Sequence, residues 1–335
     1  MLASLRSKSA QRNSCSYYWP KGRRLSDDEK LREDDSISEK APVVPDKIWE
    51  QTSKNKMTAS LSLLTLNCFG TPVPRARRRL RALASQLEHS TIQLVCLQEV
   101  QLVFFQRLLI QACASYPFQA YEPHLHSPKG GLVTLSRMPL ATQRFETYTE
   151  QGRWYLPTAM DRFLRKGMLI SSLHWEGAPV VVINTHIIAN YNGDWERQGV
   201  FARMQEKQLH QLAEVVAIQP SNALVVVVGD FNIPRGSRLY KNFLQLTGLM
   251  DTLAEDQRPT HRPPRGVPAH YSLPIDFVFV RVPQSLSLQI KCDLRFSDKF
   301  ELSHQYHDYI SDHNAIEVSF TNNTSTQQIG AAGDG

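Results

Sequence analysis

VVVVGDFN, Val225 to Asn232, is the stretch whose reading decides the fold. Four consecutive valines have the composition of a strand buried on both faces. Gly229 then lets the backbone turn closely, so Asp230 and Asn232 are presented at the strand's end. A buried strand that stops at a carboxylate and a carboxamide is the edge of a site when other strands end the same way.

Working outward, they do. LSLLTLNCFG (61–70) is a strand ending near Asn67, and TIQLVCLQEV (91–100) is a second, ending near Glu99. KGMLISSLHWEGAPVVVINTH (166–186) offers two strands with Gly177, Ala178 and Pro179 as the expected hairpin connection, the second strand ending in Asn184, Thr185 and His186. IDFVFVRVP begins with its carboxylate, Asp276, and ISDHNAIEVSF has Asp312 and His313 at its entrance. In a mixed sheet the end of one strand lies beside the start of an antiparallel neighbour, so all eight groups can share one rim. Helical spacing is expected at 71–90, 101–116 and near 236–247, and 187–220 reads as a polar loop leading into a long helix with Leu209, Leu212 and Val216 on its apolar face. GGLVTLSRMPL (130–140) reads as a strand entering a turn, and residues 284–310 carry no readable pattern.

The inventory of that rim points to phosphoryl chemistry. Hard ligands from Asn67, Glu99 and Asp312 suit Mg²⁺ or Mn²⁺, and the absence of a thiolate or multi-histidine cluster argues against zinc. Asp230 would orient or deprotonate an attacking water, and His313 can take a proton near neutral pH with Asp276 fixing its tautomer. Asn232 and His186 would donate hydrogen bonds to phosphoryl oxygens.

Taken together, LNCFG, LQEV, NTH, GDFN, IDFVF and SDHNAIE resemble the Mg²⁺-dependent endonuclease/exonuclease/phosphatase superfamily over Leu61 to Phe320. The resemblance implies a four-layer α/β sandwich of the DNase I-like kind, with two face-to-face mixed sheets, helices outside and the site at one edge. Within it, NTHIIANYNGDWERQGVFARMQEKQLHQLAE is similar to the neutral sphingomyelinases. That likeness implies substrate contacts from Lys166, Tyr191, Trp195 and Arg203, and a phospholipid headgroup as substrate. The alternative is a nuclease on DNA or RNA, for which Arg75, Arg77, Arg78, Arg79 and Arg81, together with the 258–270 loop, would meet phosphates.

Composition bounds the rest. In 335 residues with 41% hydrophobic and 21% charged residues, a large globular core is expected, and a formal charge of +6 suits an anionic partner. Five cysteines, an odd count without a C-x-x-C pair, argue against a zinc ribbon or a disulfide framework. No apolar h-region is visible near the start, and no uncharged stretch approaches the roughly 18 residues that span a bilayer. The expectation is a cytoplasmic monomer, at most in peripheral contact with a membrane. Residues 1–56 are expected to be a disordered leader, 57–321 the catalytic domain and 322–335 a disordered tail.

Overall fold

The computed structural model describes residues 60–197, 199–263, 266–268, 271–303 and 306–323. The expected leader lies outside them, as does all but the first two residues of the expected tail. The valine run forms β8 (Leu224–Asp230), buried throughout. Successive side chains of a strand point to opposite faces. Val226 and Val228 therefore enter one core, with Leu61, Leu63, Leu94, Ile316 and Val318. Val225 and Val227 enter another, with Leu209, Leu212, Phe277 and Phe279. A strand covered on both sides has no polar position to fill, which is why the run is unbroken.

The sheet containing β8 has six strands in the order β5 (Thr142–Thr147), β6 (Gly167–Trp175), β7 (Ala178–His186), β8, β10 (Asp276–Arg281) and β9 (Met250–Asp251). The facing sheet runs β11 (Leu288–Arg295), β14 (Ala315–Asn322), β1 (Ser60–Gly70), β2 (Leu94–Val100), β4 (Val133–Ser136) and β3 (Phe118–Ala120). Each sheet has one parallel pair, β7 with β8 and β1 with β2, among antiparallel neighbours. On the outer face of the second sheet, α1 (Ala76–Glu88) and α2 (Val103–Ala112) bury Leu80, Leu83, Leu87 and Leu109 against Leu64, Leu66, Val95 and Leu97. On the outer face of the first, α4 (Val200–Ala217) and α5 (Arg238–Thr247) close the core that holds Val225 and Val227. The result is the four-layer sandwich, helix–sheet–sheet–helix. The described residues also hold a short α3 (Ala159–Leu164), a 3-10 turn (Lys129–Gly131) and a hairpin of β12 (Phe300–Ser303) and β13 (Tyr306–Asp308).

The structure revises one local expectation and adds two edge strands. The hairpin connection is Glu176–Gly177, both with positive φ, while Ala178 and Pro179 already pair with Trp175 and His174 in the ladder. The polar segment TQRFET forms edge strand β5, stabilised by its ladder with β6 and not by an apolar stripe of its own. The unread 284–310 region holds β11, whose side chains alternate half-buried and exposed because β11 ends its sheet.

Candidate active site

Register places the first group of side chains. Asp230 is the ladder partner of His186 on the parallel side and of Asp276 on the antiparallel side, so three strand ends set their functional groups in a row. Gly229 makes this spacing possible in a specific way. Its φ is +139°, and a Cβ there would overlap the Thr185 carbonyl and stand 2.9 Å from its carbon. Only a residue without a side chain lets β7 and β8 approach this closely just before Asp230.

The facing sheet supplies the second group. Asn67 Nδ2 donates to Asp230 Oδ2 and to Glu99 Oε1, each at 3.0 Å, and so bridges the two sheets. Its own Oδ1 accepts the Phe69 N–H at 3.0 Å. Asn67, read from the sequence as a metal ligand through its oxygen, also organises two carboxylates through its N–H. Below it a fully buried polar pair ties the sheets again: Gln98 Nε2 donates to Asn184 Oδ1 at 2.7 Å, and Asn184 Nδ2 donates to the Leu97 and Val133 carbonyls at 3.2 Å. In a low-dielectric core, hydrogen bonds of this kind between the sheets fix one alignment of the two.

Entering β14, Ser311 Oγ donates to the Asn67 carbonyl at 2.6 Å and lies 3.2 Å from Asp312 Oδ1. The same Oγ accepts the His313 N–H at 3.1 Å. His313 Nδ1 stands 2.8 Å from Asp276 Oδ2, and its Nε2 faces Asp230 Oδ2 at 3.8 Å. Burial opposes charge on His313, but Asp276, by charge and hydrogen bond, with Asp230 and Asp312 behind it, outweighs burial and lifts its pKa to about 10. The direction of this shift favours the imidazolium, in which both ring nitrogens carry a proton, where the sequence reading has His313 taking a proton near neutral pH. Asp230 moves upward as well, through burial and then repulsion from Asp276.

His186 differs. Burial, then Lys166 and His313, push its pKa well below the ordinary value, so the ring is neutral. Its Nε2 lies 3.2 Å from Asn232 Nδ2 and 3.5 Å from Asp230 Oδ2, and a neutral ring accepts the amide proton at Nε2. Asn232 also donates to the Ile187 carbonyl at 3.0 Å, while its backbone N–H is capped by Asp230 Oδ1 at 2.9 Å in a left-handed turn. The Asn232 carbonyl accepts from Trp195 Nε1 at 2.9 Å and Gln205 Nε2 at 2.8 Å.

The four side chains expected at substrate are distributed unevenly. Lys166 is 2% exposed, with Nζ on the Ile187 carbonyl at 3.0 Å and on Asp161 Oδ1 at 2.9 Å, so it stands in the wall and not at the mouth. Trp195 holds the Asn232 turn through its indole N–H. Tyr191 packs on Phe201 at 5.6 Å between ring centroids. Arg203 is exposed on α4.

A metal's fit is testable on Glu99 and Asp312. Burial, then the neighbouring Asp312 charge, raise the Glu99 pKa, and among the described residues only Asn67 hydrogen-bonds its carboxylate. Two acidic side chains at the same edge of one sheet, Glu99 near the end of β2 and Asp312 before the start of β14, close enough to repel and short of donors, fit a hard divalent cation. Asp230, Asp276 and His313 also bring ligand-type atoms within 4.8 Å of one another, as do His261, Asp312 and His313.

Sequence reasoning passed over two members. Arg79, one of the arginines assigned to an external anion, is buried in α1: Nη2 donates to the Phe69 carbonyl at 2.9 Å, Nη1 to the Ile310 carbonyl at 3.3 Å, and the guanidinium lies 4.6 Å from the Phe69 ring centroid. It clamps the end of β1 to the approach of β14, beneath Glu99 and Asp312. His261, in the Pro- and His-rich loop, bridges backbone with His313 and sets its ring 4.9 Å away. Neither carries a local motif, since both are brought in by contacts distant in sequence.

Two facing mixed sheets with this rim define the DNase I-like class. The chain belongs to the Endonuclease/Exonuclease/phosphatase family, whose sequence profile matches residues 64–313. Among curated relatives it is 28% identical over 232 residues to the Inositol phosphosphingolipids phospholipase C of Saccharomyces cerevisiae, covering 60% of this chain and 47% of that one. It is 28% identical over 209 residues to human Sphingomyelin phosphodiesterase 2, covering 60% and 48%. The chain thus spans about half the length of the curated relatives it matches. Among solved structures, D. rerio TDP2 complexed with a single strand DNA product superposes with a TM-score of 0.62 at 18% identity, over 79% of this chain and 100% of that chain.

Proposed function

We propose that this chain hydrolyses phosphodiester bonds with the help of a divalent cation, Mg²⁺ or Mn²⁺, and that its substrate is a phosphosphingolipid of the sphingomyelin kind. The observation that carries the reading is the buried row His186–Asp230–Asp276 set against Glu99, Asp312 and His313 from the facing sheet. The likeness to two enzymes named for sphingolipid phosphodiesters supports the choice of substrate.

In this reading Glu99 and Asp312 would hold the cation, which when bound supplies positive charge to the phosphoryl and leaving oxygens. Asp230 takes the proton of the attacking water. Its elevated pKa makes it a stronger base than an exposed aspartate, while neighbouring Asn67 and Asn232 fix its two oxygens. His313, held protonated by Asp276, donates from Nε2 to a phosphoryl oxygen and stabilises the charge that builds as the P–O bond to the leaving oxygen breaks. Neutral His186 keeps Asn232 and Asp230 in register. Lys166, through the Ile187 carbonyl, holds the chain just beyond His186.

The test is a side-by-side assay of sphingomyelin, inositol phosphosphingolipid, phosphatidylcholine, single-stranded and duplex DNA, and RNA, with Mg²⁺, Mn²⁺ or EDTA. Release of the phosphorylated headgroup from a sphingolipid, abolished by EDTA, is the expected result. Cleavage confined to polynucleotide would replace the lipid reading with the nuclease one, and no cleavage of any diester would overturn both.

A further inference from the structure

Large apolar side chains are exposed at scattered single positions over most of the described surface, such as Leu125, Ile218 and Leu246. Residues 153–165 are different. Trp154 is 67% exposed, Tyr155 81% and Phe163 49%, all within one short segment. Arg153, Arg162 and Arg165 are exposed among them. The Arg162 guanidinium lies 5.1 Å from the centroid of the Trp154 ring, which keeps the indole at the surface beside a cation.

The acidic groups of this segment are already engaged. Asp161 turns inward to Lys166 at 2.9 Å, and Glu150 meets Arg153 at 3.8 Å and Lys207 at 3.5 Å. The exposed face is therefore aromatic and basic with no exposed carboxylate of its own. Aromatic rings with one apolar and one polar side, interleaved with arginines, match the boundary between headgroups and acyl chains, where Trp and Tyr concentrate and anionic lipid attracts Lys and Arg.

The face is also joined to the site. Leu156, in the middle of it, packs with Ile188, Phe201 and Met204 on the loop and helix that follow His186. Asp161, on the inner side of α3, pairs with Lys166, whose amine bonds the Ile187 carbonyl. A surface that docked there would lie against the same wall that carries His186.

We propose that residues 153–165 are the surface by which this protein docks on an anionic phospholipid bilayer, with Trp154, Tyr155 and Phe163 entering the interface and Arg153, Arg162 and Arg165 meeting lipid phosphates. The proposal rests on the lipid-diester reading above and locates the encounter with substrate. Vesicle co-sedimentation of the full chain tests it, using phosphatidylcholine alone and phosphatidylcholine mixed with phosphatidylserine, with hydrolysis of bis-nitrophenyl phosphate as the control for an intact site.

Wild type is expected to bind the mixed vesicles. The triple variant Trp154→Ala, Tyr155→Ala, Phe163→Ala should lose at least about tenfold in partition while hydrolysing the soluble diester within about twofold of wild type. Replacing Arg153, Arg162 and Arg165 by Gln should remove the preference for phosphatidylserine and the salt sensitivity. Equal binding by wild type and both variants, or no vesicle binding by wild type, overturns the proposal. So does a loss in these variants of oligonucleotide binding in place of vesicle binding. Vesicle binding that is lost in the variants, from a protein that hydrolyses no sphingolipid, would uphold the surface and overturn the substrate reading. Hydrolysis of dispersed sphingolipid without vesicle binding would do the reverse.

Discussion

Gly229→Ala is the sharpest perturbation of this fold. The residue sits at φ +139°, where a Cβ is strained, and that Cβ would overlap the Thr185 carbonyl and lie 3.2 Å from the Thr185 nitrogen. Backbone strain of this kind costs roughly 1–3 kcal/mol, and forcing a methyl into packed backbone costs roughly 1–3 kcal/mol more. Because the obstacle is a strand and not the end of a side chain, relief requires β7 and β8 to separate at the rung that aligns His186 with Asp230. The unfolding midpoint of a domain this size should drop by on the order of 10 °C, and kcat should fall with it even at temperatures where the variant is folded. Gly177→Ala is the control: that glycine also has positive φ, +77°, but nothing lies within 4 Å of its added Cβ, so only the conformational cost of about 1 kcal/mol applies. Differential scanning calorimetry of both variants decides the matter. Equal midpoints for the two, or Gly229→Ala within about 2 °C of wild type, would refute the close-approach argument.

Asp276→Asn removes the carboxylate that holds His313 protonated. A folded-state pKa raised from 6.5 to about 10 gives stability that is full below 6.5 and lost as pH rises through 10. The variant should therefore be penalised more at about pH 6 than at about pH 10, and urea melts at both values test this; equal penalties would count against the pairing. Arg79→Met leaves the Phe69 and Ile310 carbonyls unpaired and is expected to cost about 2–3 kcal/mol, with weaker Mn²⁺ binding by calorimetry, since Glu99 and Asp312 lose the clamp beneath them. Asp230→Asn should lower kcat by roughly two to four decades with little change in vesicle binding, and near-wild-type turnover would remove Asp230 from the role of base.

Much of this was legible in the sequence, for a physical reason. A strand buried on both faces can hold nothing but apolar residues, so VVVVGDFN, LSLLTL and TIQLVCL announce their positions and their ends. Asp and Asn at those ends, and Asp276 and His313 at strand starts, are legible because a polar group beside a saturated apolar run marks where the strand leaves the core. β5 and β11 were not legible, because edge strands are stabilised by a partner and carry no apolar pattern of their own.

The roles of individual groups were decided only by tertiary contact. Sequence pairs His313 with Asp276 and gives His186 a hydrogen-bonding role; the fold sets a carboxylate 2.8 Å from the first and surrounds the second with burial, Lys166 and His313 itself, so their pKa values move in opposite directions. Arg79 reads as one of a basic run, yet it lies inward on carbonyls from two distant segments. Asn67 reads as a polar group closing a strand, and only the fold shows its N–H reaching two carboxylates while its oxygen accepts the Phe69 N–H. Sequence by itself determined the class of fold and the chemical inventory of the rim, since both follow from burial patterns that are local in the chain. Charge, tautomer and the direction of each hydrogen bond depend on neighbours up to 244 residues away, as for Ser311 and Asn67, and only the folded arrangement supplies them.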